Sequence, residues 1–531
     1  MSCNDQSSAP SKDSISQLNL KRGQIISCGN QDHKFGIAHF DITGDTSVQN
    51  DFDLAVELLH SFEYEESEKA FAKIIDEQPK CAMAYWGVAM SNFHPLWNPP
   101  TEAELQKGAR AIAIARSINT KSKRETAYID AIGLYYSDWD KTDHHTRCVQ
   151  FENAMDQLHN DYPDDMEASI FYALALDAAA EPTDKTYARQ KKAGDILSAL
   201  YAKYPDHPGI IHYIIHTYDY PVLAQQGLAA AKRYAGVAPS SAHALHMPSH
   251  IFTRLGLWDE CIQSNLQSVA AAQCYAGSAG IHGHWDEELH GLDYVVYAYL
   301  QKNEDRLAWQ QVQYVNNIDT VSPLNFKVAY CFAAAPSRYV LENKNWKDAA
   351  ALPLHPNFAW NKFPWQEAIV HFARLLGFAH TNNMTGAKAE LDTLNVLHNT
   401  LQQQKDRYSA NQVAVQIKAG EAWIDFLSGD KNKGLQLMQL AAAMEDSTEK
   451  HPVTPGEVLP ARELLADMYL DANENENALQ AYEAVLQRSP RRYNSVNGAA
   501  IASKKMADKQ KAEYYMKQLS AITARSNKQD M

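Results

Sequence analysis

The sequence lacks long apolar runs and an excess of basic residues. No window holds 18 consecutive apolar residues, and the most continuous apolar stretch, residues 294–300, is too short to span a bilayer. The 49 Lys and Arg residues are outnumbered by 64 Asp and Glu residues, which gives a formal charge of −15. We therefore expect no transmembrane span and no broad basic surface for nucleic acid or anionic lipid.

Motifs of several common enzyme classes are absent as well. The sequence contains no G-x-G-x-x-G, no Walker-type G-K-[ST] loop, no G-x-S-x-G elbow and no H-E-x-x-H. Nucleotide-dependent chemistry, hydrolase-fold catalysis and zincin chemistry are therefore not expected. No organic-cofactor site and no catalytic residue is predicted, and whether the protein is an enzyme stays open.

Cysteine is sparse, because the chain has only seven and none of them forms a Cys-x-x-Cys pair. This density is too low for a scaffold held together by disulfides. Scattered buried thiols are predicted, although six cysteines remain for disulfides when Cys3 is set aside.

The first 46 residues form a polar leader. Cys3 is followed by a short Ser-rich stretch without an apolar segment. This start resembles that of a mature bacterial lipoprotein and predicts a lipid anchor at Cys3. The protein would then be exported in a Gram-negative bacterium and reside in the periplasm or at the outer membrane. The alternative is an ordinary ragged N-terminus on a cytoplasmic protein.

The rest of the chain predicts an all-α protein. Hydrophobic residues make up 45% of the sequence and aromatic residues 10%, which is enough for an ordered core. From residue 51 onward, apolar residues recur with helical periodicity, and alternating runs of β-branched residues are hard to find. Thr101 and Glu104 have the spacing of a capping box, so a helix is expected to begin there.

A 34-residue period organises the helices. The template for tandem helix hairpins, W-x2-L-G-x2-Y, A-x3-F and P, is matched near the C-terminus and more loosely near the N-terminus. The matching positions are Leu465, Ala466, Tyr469, Ala478, Tyr482 and Pro490, and then Leu54, Ala55, Leu58, Ser67, Phe71 and Pro79. Pro205 and Pro239 are also 34 residues apart, so the register continues through the middle of the chain.

The chain therefore resembles tetratricopeptide-repeat proteins, which implies an α-solenoid of stacked helix hairpins. Four segments resemble exported bacterial members of that group: residues 81–100, 181–193, 243–256 and 459–470. Breaks in the pattern predict five regions. These are a leader or lipoprotein tether (1–46), N-terminal repeats (47–200), His-rich repeats (201–310), degenerate repeats (311–447) and C-terminal repeats (448–531).

Histidine is concentrated in the third region. Nine of the 21 histidines lie between His207 and His290, where even spreading would give about three. His212 and His216 are spaced i, i+4, and so are His246 and His250, with the two pairs one full repeat apart. Residues at i and i+4 share a helix face, and the first helices of neighbouring hairpins stack side by side. The four rings are therefore expected to form one cluster.

Asp219 and His243 extend the same stripe of residues, and His290 is expected to start the next first helix. Clustered neutral imidazoles suit Zn, Cu, Fe or Ni ions, so a transition-metal site of unknown metal identity is predicted in the concave groove of the solenoid. The alternative is that these histidines only stack, cap and form hydrogen bonds within a packed groove.

Several other residues are weaker candidates for the groove. His94 lies near the end of a first helix, where capping before Pro95 is the simpler interpretation. A turn just before the His-rich repeats contains Glu181, Asp184 and Lys185. Its carboxylates would complete a coordination sphere or act as a base on bound water, or else Thr183 or Asp184 would cap a helix. Asp293 follows His290 on the next expected first helix.

Two functions are compatible with the sequence. The first is metal-dependent chemistry or metal handling by a His-rich groove in an exported α-solenoid. The second is a non-enzymatic scaffold whose groove binds a small molecule, a peptide or a partner protein. A third hypothesis, glycan capture through aromatic residues, has only the leader, the chain length and ten tryptophans in its favour.

Overall fold

The computed structural model describes residues 9–29, 33–97, 99–181 and 183–524. Cys3, the predicted lipidation point, lies outside these residues. The chain divides into two compact units, residues 1–248 and 249–531, and each is described by itself. Among the described residues, no helix is long and apolar enough to cross a membrane.

The first unit is built from helices joined by short loops. A short 3-10 helix, Thr46–Val48, precedes the second of them. Its described helices are α1 (Lys12–Ser16), α2 (Gln49–His60), α3 (Tyr64–Glu77), α4 (Ala82–Ser91), α5 (Glu102–Ser117), α6 (Lys123–Tyr136), α7 (His144–Asp161), α8 (Met166–Ala178), α9 (Ala188–Tyr201), α10 (Pro208–Thr217), α11 (Ala224–Val237) and α12 (Ala242–His246).

The second unit is also helical, and all of its first helix except the initial Pro248 belongs to it. A 3-10 helix, Trp360–Lys362, lies between two of the helices. The described helices are α13 (Pro248–Leu255), α14 (Trp258–Ser278), α15 (Asp286–Gln301), α16 (Asp305–Asn316), α17 (Phe326–Glu342), α18 (Trp346–Ala350), α19 (Pro364–His380), α20 (Met384–Gln403), α21 (Arg407–Leu427), α22 (Lys431–Asp446), α23 (Ala461–Asp471), α24 (Asn475–Arg488), α25 (Tyr493–Lys505) and α26 (Lys509–Thr523).

The predicted fold class is confirmed: the chain is an all-α, tetratricopeptide-like α-solenoid in which consecutive helices pack as hairpins. Within the described residues, strands are limited to β1 (His284–Trp285) and β2 (Val321–Ser322). They pair in parallel, with His284 opposite Val321. The strands are only two residues long, so they connect two loops and do not form a sheet domain.

Side-chain caps define where several helices begin. Thr101 and Glu104 form the predicted capping box at the start of α5, since each side chain bonds the backbone N–H of the other. Ser122 and Glu125 form a second one at the start of α6. The Thr101 box therefore confirms the helix start that the sequence predicts.

The described part of the leader packs against the first unit. Phe40 is fully buried, and its ring lies 5.5 Å from that of Phe52, 5.4 Å from that of Trp86 and 4.9 Å from that of Tyr128. The guanidinium of Arg124 lies 4.4 Å from the same ring. Residues just before α2 therefore contribute to the core of this unit.

The cysteines divide into two kinds. Among the described residues, Cys81, Cys148, Cys261 and Cys331 are free thiols and are buried, as the sequence predicted for scattered cysteines. Cys28 and Cys274, by contrast, are each disulfide-bonded. The spacing of the cysteines in the sequence did not indicate which of them are disulfide-bonded.

Chemical labelling tests this division. When the unfolded protein is alkylated without reductant, we expect modification of the four free thiols and none at Cys28 or Cys274, because a disulfide sulfur carries no nucleophilic thiolate. After reduction, all six should be alkylated, as measured by peptide mass spectrometry. Alkylation of Cys28 in a sample never exposed to reductant would contradict the assignment.

Candidate metal centre

Three imidazoles converge in the first unit. His212 and His216 lie on α10, which begins with Pro208 after the N-cap His207, and His243 lies on α12, which is capped by Ser241. Nε2 of His212 is 3.0 Å from Nε2 of His216 and 3.2 Å from Nε2 of His243. One ligand atom from each of the three rings lies within 4.8 Å of the others.

The hydrogen bond of His212 fixes its tautomer. Its Nδ1 lies 2.6 Å from the backbone carbonyl oxygen of His60, and a carbonyl oxygen only accepts. Nδ1 therefore carries the proton, and in the neutral ring Nε2 presents a lone pair toward His216 and His243. Metal-bound histidines usually have this arrangement, with the second ring N–H donated to an oxygen.

The His60 carbonyl is available because α2 ends there. Phe62 N–H bonds the carbonyl of Leu59, and Glu63 N–H bonds the carbonyl of Leu58, which is the pattern of a Schellman cap. Phe62 occupies the position that glycine usually takes and has a φ of 56°. The last carbonyl of the helix remains for His212, which lies 152 residues further along the chain.

The spacing of the rings fits a tetrahedral ion. Two nitrogens bound to one tetrahedral zinc at the usual Zn–N distance are about 3.3 Å apart. The two measured Nε2–Nε2 distances from His212, 3.0 and 3.2 Å, are close to this value. The donor set, three neutral nitrogens, also suits a borderline transition metal.

Aromatic side chains surround the three histidines. The ring of Phe62 lies 4.4 Å from that of His212 and 5.6 Å from that of His216, while Trp97 lies 5.0 Å from His216. Tyr234 stacks on His212 at 5.4 Å. His212 is fully buried, but His216, Phe62 and Trp97 are half-buried. The cluster is therefore dry on one side and open to solvent near Trp97.

A second group of possible ligands, His60, Glu167 and His207, lies buried in the same unit. Glu167 accepts hydrogen bonds from Nε2 of His60 at 2.9 Å and from Nε2 of His207 at 2.8 Å. Nδ1 of His207 accepts the backbone N–H of Ile210, at 3.4 Å. That ring therefore carries its proton on Nε2, so the nitrogen that faces Glu167 is a donor and has no lone pair for a metal.

The electrostatics of this second group agree with that assignment. Burial lowers the pKa of His60, so its ring is neutral. Burial would raise the pKa of Glu167, but His60 and His207 hold it well below its ordinary value. The group is thus an ionised carboxylate held by two imidazole N–H donors, and Tyr213 completes it at 3.0 Å from Nδ1 of His60.

Space for the His60 ring depends on a glycine. A Cβ at Gly209, in the first turn of α10, would lie 2.4 Å from Nδ1 of His60. Any larger residue would push the His60 ring away from Glu167. Gly209 therefore keeps the space that the second group needs.

His246 and His250 lie on different helices. The helix that carries His246 ends at that residue, and α13 begins at Pro248. Proline lacks the backbone N–H that a continuous helix would use, so the segment expected to be one helix is interrupted at Met247. His246 is fully buried in the first unit, with its ring 6.5 Å from that of His243.

Two further predicted ligands lie together in the second unit. His250 and His290 are buried, and their ring centroids are 6.4 Å apart. Asp293 is buried as well, but it forms an ion pair with Arg338. Burial raises the pKa of Asp293 to about 6, against the opposing effect of that arginine.

The acidic candidates near the His-rich repeats have other partners. Glu181 pairs with His145 at 2.6 Å, and Asp184 accepts the backbone N–H of Thr186 at 2.8 Å in a turn before α9. Lys185 is exposed in the same turn. Asp219 is buried just after α10, where its backbone N–H bonds the carbonyl of His216.

His94 contributes to the aromatic surroundings of the cluster. It has a φ of 46°, and its ring lies 4.5 Å from Tyr64, which in turn stacks on Phe62 at 5.2 Å. Nε2 of His94 pairs with Glu104 at 3.4 Å. Burial would raise the pKa of Glu104, but the hydrogen bonds from His94 and Thr101 lower it to about 2.

Sequence reasoning missed several residues at this site. His60 and Glu167 come from the distant helices α2 and α8, Phe62 comes from the turn after α2, and no repeat spacing connects them with His212. For the second group, the one feature of the sequence that pointed to it was the position of His207 in the histidine-rich stretch.

No protein-family model matches the chain, and no curated protein matches its sequence. Among solved structures, similarity is found to the TPR domain of P58(IPK), with 11% identity over 87% of this chain and 99% of that one, and a TM-score of 0.21. Human IFIT1 in complex with m7Gppp-AAAA has 10% identity over 88% and 95%, with a TM-score of 0.34. Cut9 in its complex with Hcn1 has 11% identity over 89% and 93%, with a TM-score of 0.26. These values carry no argument about function.

Replacing Glu167 by Gln tests the second group. We expect the free energy of unfolding to fall by about 3 kcal/mol, because two buried imidazoles lose their anionic acceptor. The depressed pKa of Glu167 stabilises the fold above the ordinary pKa of glutamate, and this contribution is lost as pH falls toward the folded-state pKa. The difference from wild type in chemical denaturation should therefore be largest above pH 5. The exposed Glu77→Gln is the control, and an equal effect of both variants would contradict the assignment.

Proposed function

We propose that the first unit binds one transition-metal ion through Nε2 of His212, His216 and His243, and that the protein acts in metal handling or metal-dependent chemistry. The observation that carries this proposal is the convergence of three imidazole nitrogens while His212 donates its other N–H to the His60 carbonyl. Nε2 of His212 has one lone pair and can accept one short hydrogen bond, yet two ring nitrogens lie close to it. A metal ion accounts for both contacts, because it binds one lone pair from each of the three rings.

Three protein ligands leave a fourth position for water or substrate. Structural zinc sites are closed by four protein ligands, whereas catalytic sites keep one position open. The half-buried side of the cluster, at His216 and Trp97, is where that position would lie. A bound ion there would lower the pKa of a water or polarise a substrate oxygen.

We also propose that the protein is exported, as its resemblance to exported bacterial repeat proteins suggests. The disulfide-bonded state of Cys28 and Cys274 supports this, since structural disulfides persist mainly in oxidising compartments such as the periplasm. An anchor at Cys3 remains part of this proposal.

Metal analysis of protein purified without a His tag tests the proposed centre. We expect about one equivalent of a transition metal per chain after loading with Zn, Cu, Fe or Ni. The double variant His216→Ala, His243→Ala should retain less than about a tenth of it, because one imidazole alone does not hold the ion. Elemental analysis by mass spectrometry gives the ratio, and circular dichroism checks that the helices persist.

Two controls separate the proposal from its alternatives. His145→Ala removes a half-exposed histidine of the same unit and should leave the metal content unchanged. Glu167→Gln should also retain the ion, because the second group holds none in this proposal. Metal lost from Glu167→Gln and kept in the double variant would move the site to the second group. No metal in any sample would favour the scaffold function.

The proposed centre also has an expected pH dependence. Only neutral imidazoles bind metal, so protons compete for the nitrogens as pH falls. We expect the wild-type protein to release its ion below about pH 6, as followed by dialysis and elemental analysis. Binding that persists at pH 4 would contradict a centre with three histidines.

A further inference from the structure

Arg147 is a buried cation in the first unit. It lies at the end of the first turn of α7, and only 4% of its surface is exposed. Nε and Nη1 of its guanidinium group are shielded from solvent and have no hydrogen-bond partner. Among the described residues, no Asp or Glu forms an ion pair with it. Arg147 has no part in the metal proposal.

The two other buried arginines of the described chain, Arg338 and Arg492, have carboxylate partners. Arg338 forms an ion pair with Asp293, and Arg492 forms ion pairs with two glutamates. Removing a charge from water is costly unless an opposite charge compensates it. Arg147 is as well buried as these two, and the described residues offer it no such charge.

Uncharged groups surround Arg147. Its guanidinium carbon lies 4.5 Å from the centroid of the Tyr135 ring, which belongs to the end of α6. The Tyr135 hydroxyl is 2.9 Å from Nδ1 of His144, and Nε2 of that imidazole is 3.5 Å from Sγ of Cys148. The face of a tyrosine ring attracts a cation, but it carries no net negative charge.

These neighbours are also neutral at physiological pH. Burial, followed by the charge of Arg147, lowers the pKa of His144 to about 4. Burial raises the pKa of Tyr135 above its ordinary value and that of Cys148 to about 12, against the opposing effect of Arg147. The charge of Arg147 therefore acts on an imidazole, a phenol and a thiol, and none of them is ionised.

The start of α7 adds positive potential. The helix has 18 residues and no acidic residue in its first turn, and a helix N-terminus favours anions. The N-cap Asp143 uses one carboxylate oxygen for the backbone N–H of Thr146 and the other for its hydroxyl. Glu181 pairs with His145. Both carboxylates are exposed, so neither is an internal partner for Arg147.

We propose that Arg147 is the centre of a binding site for one small monovalent anion, such as formate or chloride, between α6 and α7. A guanidinium group presents five N–H donors in a planar fork that matches such an anion. One buried positive charge requires one negative charge, which favours a monovalent anion over a phosphate dianion. Because only 4% of Arg147 is exposed, the anion has to be small.

Calorimetric titration of the full chain in sodium HEPES buffer tests the proposal, with sodium formate and sodium chloride as separate probes. We expect saturable binding of at least one of them, weakened by about tenfold or more in Arg147→Met, which removes the charge-assisted donors. Arg306→Met, the same change at an exposed position of α16, is the matched control and should bind as wild type does. Gluconate, a bulkier carboxylate, should not bind.

Thermal unfolding gives a second readout. An anion that binds the folded chain raises its unfolding midpoint. Formate or chloride should therefore raise the midpoint of the wild type above its value in gluconate and leave that of Arg147→Met unchanged. An arginine with a merely structural role would give no such difference between the anions.

Arg147→Lys covers the case in which Arg147→Met fails to fold. It keeps the charge but loses the planar fork, so it should bind the anion less tightly than wild type does. The proposal is overturned when neither anion gives saturable heat or a higher midpoint than gluconate, when gluconate binds equally well, or when a folded Arg147 variant binds as tightly as Arg306→Met. The metal-free double variant of His216 and His243 should bind the anion normally.

Discussion

The hydrogen bond from Nδ1 of His212 to the carbonyl of His60 is the contact on which the candidate metal centre depends. It connects the C-terminus of α2 with the middle of α10, 152 residues later. A helix ends with carbonyls that lack partners inside the helix, and its C-terminal end carries a partial negative charge. The same contact therefore gives the last carbonyl of α2 a hydrogen-bond partner, orients the His212 ring, and directs a lone pair toward His216 and His243.

Two buried groups with similar residue types therefore have different chemistry. In the first group, Nδ1 of His212 donates to a carbonyl oxygen, so Nε2 keeps a lone pair. In the second group, Nδ1 of His207 accepts the N–H of Ile210, so Nε2 carries the proton and donates to Glu167. Proximity alone does not distinguish the two, since both have ligand atoms within 4.8 Å of one another. The backbone group that bonds Nδ1 distinguishes them, because it is a carbonyl oxygen at His212 and an N–H at His207.

The sequence predicted the parts of this site that follow from helix geometry. His212 and His216 share a face of α10 because they are spaced i, i+4. The 34-residue period relates them to His246 and His250, whereas the third ring beside them belongs to His243, which the sequence placed only on the same stripe. The sequence could not reveal that Pro248 interrupts the next helix, since prolines are tolerated in the first turn of a helix. The sequence could not predict that His60 and Glu167 lie near this site, because no repeat period relates them to α10. The packing of Phe40 was missed because a few apolar residues in a polar leader give no periodic signal.

The second unit shows how this protein normally accommodates buried acids. Asp293 pairs with Arg338, both Glu342 and Glu463 pair with Arg492, and Asp286 pairs with Lys327. Each of these carboxylates has an internal cation, as the cost of removing a charge from water demands. Glu445 and Glu457 differ from these acids because both are only half-buried, and the charge of Arg488 also acts on Glu445. The fold thus balances these four buried acids, Asp286, Asp293, Glu342 and Glu463, from within, because water does not reach them.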